Sequence, residues 1–372
     1  MKIPFVDLHA QYLTIKEDVD HAIASVIKET AFIGGTYIKK FEKEFAEAYG
    51  VKHCIGVANG TDAIYIVMRM LGIGVGDEVI TVANSWISTS ETIGQTGATP
   101  VFVDIDEYST IDVNQIESKI TAKTKAIIPV HLYGQATEIK AIKTIAEKHN
   151  LYLIEDCAQS HFTKYDSQNV GTFGIASTFS FYPGKNLGAY GDAGCILTDN
   201  DSLAEKMRMY ANHGALKKHQ HQIEGINSRL DGLQAAILSA KLPHLMNWNA
   251  ARKKKSSYYN KILNNIEGII LPKVRENVDH TFHLYVIRTT RRDELQTYLK
   301  ERDIETAIHY PTALPLLPAY NYLNYSKVDF PVAVKYQDEI LSIPMYPEIT
   351  EEMMDYVAGA IKDFASVASE KI

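Results

Sequence analysis

The chain has 372 residues, with 38 Lys+Arg against 45 Asp+Glu and a formal net charge of −7. That mildly acidic balance argues against coating DNA or RNA, whose phosphates need a basic surface. No apolar run approaches the roughly 20 residues of a bilayer span, the first residues show no apolar leader, and Cys54, Cys157 and Cys195 are too scattered for a disulfide framework. A protein of the reducing cytoplasm, with no nucleic-acid or membrane partner, is the expectation.

In chain order, a short strand Ile55–Ala58 leads into Asn59-Gly60-Thr61-Asp62-Ala63 and a helix marked by Ile64, Val67, Met68 and Leu71 at i, i+3, i+4, i+7. Apolar, β-rich runs follow at Glu78–Val82, Pro100–Asp104, Ala126–Val130, Leu151–Ile154, Ala176–Phe181 and Gly194–Leu197, with helix-length stretches such as Glu138–His149 between several of them. Strands separated by helices imply an α/β fold with a largely parallel sheet covered on both faces. Beyond residue 200 the pattern predicts a helix starting near Asp231, a Lys- and Tyr-rich helix over Trp248–Leu263, a strand over Phe282–Ile287, a helix over Asp293–Glu301 and two C-terminal helices. A boundary near residue 245 divides a large domain, 1–245, from a smaller C-terminal one, 246–372. The segment Pro311–Pro318 is too proline-rich for regular helix or central strand, and is read as a loop.

Several segments carry candidate chemistry. Gly72-Ile73-Gly74-Val75-Gly76 follows a helix and precedes a strand, the reverse of a dinucleotide-binding loop, so it is read as a helix end and turn. Gly60 and Thr61 open a helix, where free N–H groups suit a phosphate; an ordinary N-cap, with Thr61 as the cap, is the competing reading. Asp156 follows the strand ending at Ile154, at the sheet edge where ligands bind. It suits a metal ligand, a cap, or the partner of a cationic ring nitrogen. His213, His219 and His221 match no zinc spacing and read as a solvated polar loop. Lys185 sits in a Gly/Pro-rich turn directly after an apolar strand. A desolvated lysine there would be a nucleophilic amine able to form a Schiff base, although a lone exposed turn lysine fits the motif too. A phosphate cradle, a flat ring (Trp86), a carboxylate (Asp156) and such a lysine, each near a strand end, together form the inventory for pyridoxal phosphate.

The sequence resembles the DegT/DnrJ/EryC1/StrS family, fold-type I pyridoxal-phosphate enzymes that aminate nucleotide-linked keto-sugars. The likeness runs through Ile3–Leu8, Phe32–Gly35, Asn59–Ala63, Glu155–Gln159, Ser180–Lys185, Asn227–Asp231 and Ile308–Pro311. By that resemblance, Lys185 would form the Schiff base with pyridoxal 5'-phosphate and shuttle the proton, and Asp156 would keep the pyridine nitrogen protonated. Trp86 would stack on the ring and Gln159 would bond near its phenolic oxygen. Gly60, Thr61 and Ser180 would hold the phosphate together with Asn227 of the partner subunit, which makes a homodimer part of the active site. The stretch Phe181–Gly194 is similar to that of dTDP-3-amino-3,6-dideoxyhexose-forming transaminases using L-glutamate, and Tyr182, Lys218, Arg229, His309 and Tyr310 would then line the sugar and diphosphate pocket. Where relatives often carry a Pro-Leu-His or Pro-Pro-His stretch, this chain has Thr312-Ala313-Leu314-Pro315, so the substrate loop differs.

Amination of a 4-keto hexose or of a UDP-2-acetamido-3-keto-uronate is the nearest alternative. A dehydratase of the same fold is disfavoured, because Lys185 is present and the three cysteines form no cluster-binding set. A cofactor-binding regulator without turnover is a further class. A nicotinamide enzyme would need a strand–GxGxxG–helix unit that the chain lacks.

Overall fold

The computed structural model describes residues 1–369. Its centre is a seven-stranded sheet of β1 (His53–Val57), β2 (Glu78–Val82), β3 (Thr99–Val103), β4 (Thr124–Ile128), β5 (Tyr152–Asp156), β6 (Ala176–Ser180) and β7 (Gly194–Thr198), in the order β1-β7-β6-β5-β4-β2-β3. Strands β3, β2, β4, β5 and β6 run parallel, while β7 is antiparallel to both β6 and β1. The sheet is therefore mostly parallel, as expected, with one reversed strand. An antiparallel neighbour needs no helical crossover, so β6 and β7 are joined by the irregular segment 181–193 that holds Lys185.

Period-2 alternation sends successive side chains to opposite faces. Ile80, Ile127, Leu153 and Leu197 pack with Phe41, Phe45 and Phe179 on one face. Val79, Ile128, Ile154 and Ile196 pack with Ile64, Val67 and Met68 on the other. Both faces are thus covered, which is why the strands read as continuous apolar runs. The helix Gly60–Met70 is capped at Leu71, and Gly72 turns out of it with φ of 77°, in keeping with the helix-end reading of Gly72–Gly76.

A third apolar cluster gathers Tyr259, Leu263, Tyr285, Ile287, Leu295, Leu299, Leu341, Ile343, Val357 and Ile361. It surrounds an antiparallel pair, β8 (Tyr285–Arg288) and β9 (Ile340–Ile343), between the helices Leu245–Ile262, Arg292–Lys300 and Glu351–Ser369. Three details differ from expectation. The strand predicted from Phe282 begins at Tyr285, because Thr281 N–H and Leu284 N–H donate to the carbonyls of Gly134 and Tyr133, and Phe282, at φ of 44°, leaves the β region. The helix predicted from Trp248 begins at Leu245, since a 3-10 turn over Leu242–His244 with Pro243 at its start feeds straight into it. A strand, β9, separates the two C-terminal helices, Pro331–Glu339 and Glu351–Ser369.

The segment after residue 245 serves two cores. Leu284, Val286, Leu314 and Ile340 pack into the first cluster, and Ile3 from the N-terminus joins the third. Residues 314–316 and 318–323 of the proline-rich stretch and its continuation form 3-10 turns rather than regular helix, and Leu314 N–H donates to Ala83 O just past β2.

Candidate active site

The carboxyl ends of β5 and β6 and the start of the Gly60 helix open into one cavity of about 650 Å³. Ten of the residues singled out in the sequence line it: Gly60, Thr61, Trp86, Asp156, Gln159, Ser180, Tyr182, Lys185, His309 and Tyr310.

Where the helix starts at one side of the cavity, Asn59 is the residue that caps it, its side-chain oxygen accepting from Asp62 N–H at 2.8 Å. Thr61 is therefore not the cap; it lies inside the first turn, and its hydroxyl is 2.7 Å from that of Ser88. The backbone N–H groups of Gly60 and Thr61 have no protein acceptor among the described residues, at the positive end of an 11-residue helix. A Cβ on residue 60 would lie 2.8 Å from Cβ of Ser180, so only glycine lets the helix start and the end of β6 approach this closely.

Asp156 ends β5 and is buried. Its carboxylate accepts from Thr89 Oγ1 at 2.8 Å and from Ala158 N–H at 3.1 Å. Burial pushes its pKa up; those two donors and the nearby charge of Lys185 oppose the rise. No cation forms an ion pair with it among the described residues, so a cationic group entering the cavity would meet a desolvated carboxylate. Its neighbour Glu155 points to the other face, accepting from Gly171, Phe173 and Gly174 N–H and from His131 Nε2. His131 Nδ1 accepts from Thr137 N–H, which places the imidazole hydrogen on Nε2. Together with Cys157 these residues lie close enough to hold a metal ion, but both Glu155 oxygens and His131 Nδ1 already accept from protein donors, and His131 Nε2 donates to Glu155.

Lys185 stands in a tight turn where its own N–H donates to Tyr182 O at 2.8 Å and Ala189 N–H donates to Phe181 O at 2.7 Å. A Cβ on Gly188 would fall 2.2 Å from Pro183 O, so the turn closes only with glycine there. Asn186, pinned by Asn249 and Thr281, and the buried Lys241, whose Nζ donates to Gly188 O, fix the loop from beneath. Enclosure lowers the Lys185 pKa from 10.5 to about 8, against the pull of Asp156. The amine is thus available in neutral form far below the usual lysine range.

Gln159 Oε1 accepts from Tyr133 N–H at 2.8 Å, and its Nε2 donates to the Tyr310 hydroxyl at 3.1 Å. Trp86 is 59% exposed, with its ring 5.6 Å from that of Tyr310, and Tyr182 is 58% exposed at the mouth. His309 bonds to Ser342 Oγ through Nδ1 at 2.8 Å and stacks on Phe5; burial and Lys185 lower its pKa to about 4, so it is neutral at pH 7.

Lys218, Asn227 and Arg229 do not reach this cavity. Lys218 is exposed on the loop between Ala215 and His221, Asn227 forms a backbone bridge to Asn212, and Arg229 reaches Asn212 Oδ1 at 3.4 Å. His213, His219 and His221 are exposed on the same loop and form no metal-ligating group among the described residues. Thr89, Ser88, Asn186, Lys241 and His283 escaped the sequence reading. The one available signal was the hydroxyl-rich run Ser85, Ser88, Thr89, Ser90, Thr92, buried throughout.

The chemistry of this donor set fits pyridoxal phosphate: unpaired N–H groups and a serine for the phosphate, a desolvated carboxylate seeking a cation, and an amine of lowered pKa in the same cavity. Comparison with known proteins agrees. Residues 13–362 match the DegT/DnrJ/EryC1/StrS aminotransferase family. The chain is similar to a pleiotropic regulatory protein of Geobacillus stearothermophilus, 46% identical over 367 residues, covering 98% of this chain and 99% of that protein. It is similar to the dTDP-3-amino-3,6-dideoxy-alpha-D-galactopyranose transaminase of Aneurinibacillus thermoaerophilus, 42% identical over 364 residues, 97% of this chain and 99% of that enzyme. The crystal structure of S. venezuelae DesV superposes with a TM-score of 0.95 at 39% identity, covering 98% of both chains. The chain belongs to the DegT/DnrJ/EryC1/StrS aminotransferase family and is a pyridoxal-phosphate-dependent nucleotide-sugar aminotransferase.

Proposed function

We propose that this enzyme moves the amino group of L-glutamate to C3 of a dTDP-linked 3-keto-6-deoxyhexose, giving the dTDP-3-amino-3,6-dideoxyhexose and 2-oxoglutarate. The observation that carries the reading is the 42% identity, along nearly the full length of both chains, to an enzyme named for that product class. Bound pyridoxal phosphate supplies an electron sink. Gly60 and Thr61 N–H and the Ser180 hydroxyl would hold its phosphate, and Trp86 and Gln159 would hold its ring. Asp156 keeps a proton on the ring nitrogen by offering it a buried opposite charge. Lys185 Nζ anchors the cofactor and then holds and moves the proton at the reacting carbon. Tyr182, His309 and Tyr310 meet the sugar, and Lys218 and Arg229, which lie outside this chain's own cavity, meet the diphosphate only where a partner subunit closes the site.

Asn227 completes the phosphate site from the partner subunit of a homodimer. Its position outside its own cavity suits that role, and the exposed apolar side chains Phe32, Ile33 and Tyr190 offer surface for a partner to cover. Division into 1–245 and 246–372 is part of the same proposal, with residues 370–372 outside the described residues. No helix among the described residues is long and apolar enough to cross a membrane, and a cytoplasmic enzyme is proposed.

Offering the enzyme and L-glutamate dTDP-3-keto, dTDP-4-keto and UDP-2-acetamido-3-keto-uronate substrates in parallel, with mass detection of products, tests the choice. Preferential conversion of the dTDP-3-keto sugar is expected; preference for either other substrate overturns it.

A further inference from the structure

The chain leaving β4 turns at Leu132–Gly134, where Tyr133 sits at φ of 62° and ψ of 0°, a left-handed conformation that a bulky residue rarely adopts. Its surroundings hold it there. Leu284 N–H donates to Tyr133 O at 3.3 Å and Thr281 N–H to Gly134 O at 3.2 Å, and a Cβ on Gly134 would fall 2.8 Å from Thr281 Oγ1. Residues over-determined in this way cluster at functional sites. Tyr133 is buried and does not line the cavity, so it acts there only through other residues.

Both of its donors reach residues that do line the cavity. Its N–H donates to Gln159 Oε1 at 2.8 Å. An N–H can only donate, so the amide oxygen of Gln159 faces Tyr133 and the amide nitrogen is turned away from it. Gln159 Nε2, a donor only, lies 3.1 Å from the Tyr310 hydroxyl, whose oxygen must accept. The hydroxyl hydrogen of Tyr310 is left with no acceptor among the described residues and with the cavity beside it. Burial and the charge of Asp156 push the Tyr310 pKa above its ordinary value against the opposing bond from Gln159, so the group remains a donor at neutral pH.

The Tyr133 hydroxyl donates to the carbonyl oxygen of His309, the residue before Tyr310, and itself accepts from Asn84 Nδ2 at 3.4 Å. One buried side chain thus ties the loops after β2 and β4 to the segment that carries Tyr310, while its backbone sets the amide that Tyr310 meets.

We propose that Tyr133 is a positioning residue for substrate recognition: acting through Gln159 and His309, it aims the Tyr310 hydroxyl as a hydrogen-bond donor at an oxygen of the bound keto-sugar. This rests on a nucleotide-linked keto-sugar being the amino acceptor. The cofactor is the other source of an acceptor oxygen, and the experiment separates the two.

The pyridoxal-phosphate form has no amino group to give, so calorimetry can follow a dTDP-linked 3-keto-6-deoxyhexose binding to it without turnover. Tyr133→Phe keeps the ring and the backbone N–H and removes only the hydroxyl. Its affinity for the keto-sugar nucleotide is expected to fall about 3- to 10-fold, while its affinities for dTDP alone and, by equilibrium dialysis, for pyridoxal phosphate stay at wild-type values. Tyr310→Phe is expected to weaken the keto-sugar nucleotide by a similar factor, and the double variant no more than either alone, because both changes remove one contact. Losses that multiply in the double variant, an unchanged Tyr133→Phe, or an equal loss for dTDP and pyridoxal phosphate would overturn the proposal. Weakened pyridoxal-phosphate binding in Tyr310→Phe would also overturn it, by placing the acceptor on the cofactor. Should Tyr133→Phe fail to fold, Asn84→Ala, which removes the amide holding the same hydroxyl, takes its place in the cycle with the same outcomes. Wild-type protein that binds dTDP but no keto-sugar would overturn the substrate reading and this proposal with it, whereas wild-type binding with unaltered variants overturns this proposal alone.

Discussion

Lys185 and Asp156 are opposite responses to the same enclosure: burial lowers the amine to about 8 and raises the carboxyl. Lys185→Ala should remove turnover, a loss of at least about 10²–10⁴-fold from the missing proton transfer alone, while circular dichroism and melting remain those of the folded protein. Wild-type turnover in that variant would show the proton moving elsewhere. In cofactor-free protein the amine is protonated below its pKa and reactive above it. Modification of Lys185 should therefore rise through a midpoint near pH 8, and a midpoint near 10.5 would mean that it is solvated. Thr89→Val removes one of the two donors to Asp156. A hydrogen bond to a charged group contributes about 1.5–3 kcal/mol, so cofactor affinity should drop roughly 10- to 100-fold, measured by equilibrium dialysis. Unchanged affinity would mean that Ala158 N–H suffices. Asp156 and Lys185 were legible because each follows an apolar strand, where side chains meet the sheet edge. Thr89, 67 positions away from its partner, and Asn186, 63 away from Asn249, act through contacts that only the fold creates.

Among the elements, the Gly60–Met70 helix and the β6–β7 connection are tied together by one close approach. Gly60→Ala would push a Cβ to 2.8 Å from Ser180 Cβ and move the helix start off the end of β6. Loss of cofactor retention with the fold preserved is expected, read by gel filtration followed by release of bound pyridoxal phosphate; full retention would place the phosphate elsewhere. The strand–helix alternation was legible to within a few residues through β7, because strands buried on both faces announce themselves as apolar runs. The direction of β7 was not, since nothing in a five-residue apolar run encodes which way it pairs. The start of β8 was misplaced for a related reason: hydrogen bonds to Tyr133 and Gly134, far off in sequence, divert the chain ahead of Tyr285. Thr61 stood as a possible N-cap beside the phosphate reading, whereas Asn59 holds the cap, because both residue types cap well and spacing alone does not choose between them.

At the scale of the whole molecule, the cavity of one chain gathers ten of the thirteen residues first singled out, and Lys218, Asn227 and Arg229 lie outside it. A homodimer explains that separation if the partner's loop closes the phosphate end. Asn227→Ala should then weaken cofactor retention while leaving the monomer fold unchanged; identical affinity for pyridoxal phosphate would remove the inter-subunit contact. The most direct measurement is the visible absorption spectrum of the purified protein supplied with pyridoxal phosphate, before and after L-glutamate. A yellow band that bleaches with glutamate and returns when a dTDP-3-keto sugar is added is the predicted result. A band that glutamate leaves untouched, or no band at all, would contradict an aminotransferase built on Lys185.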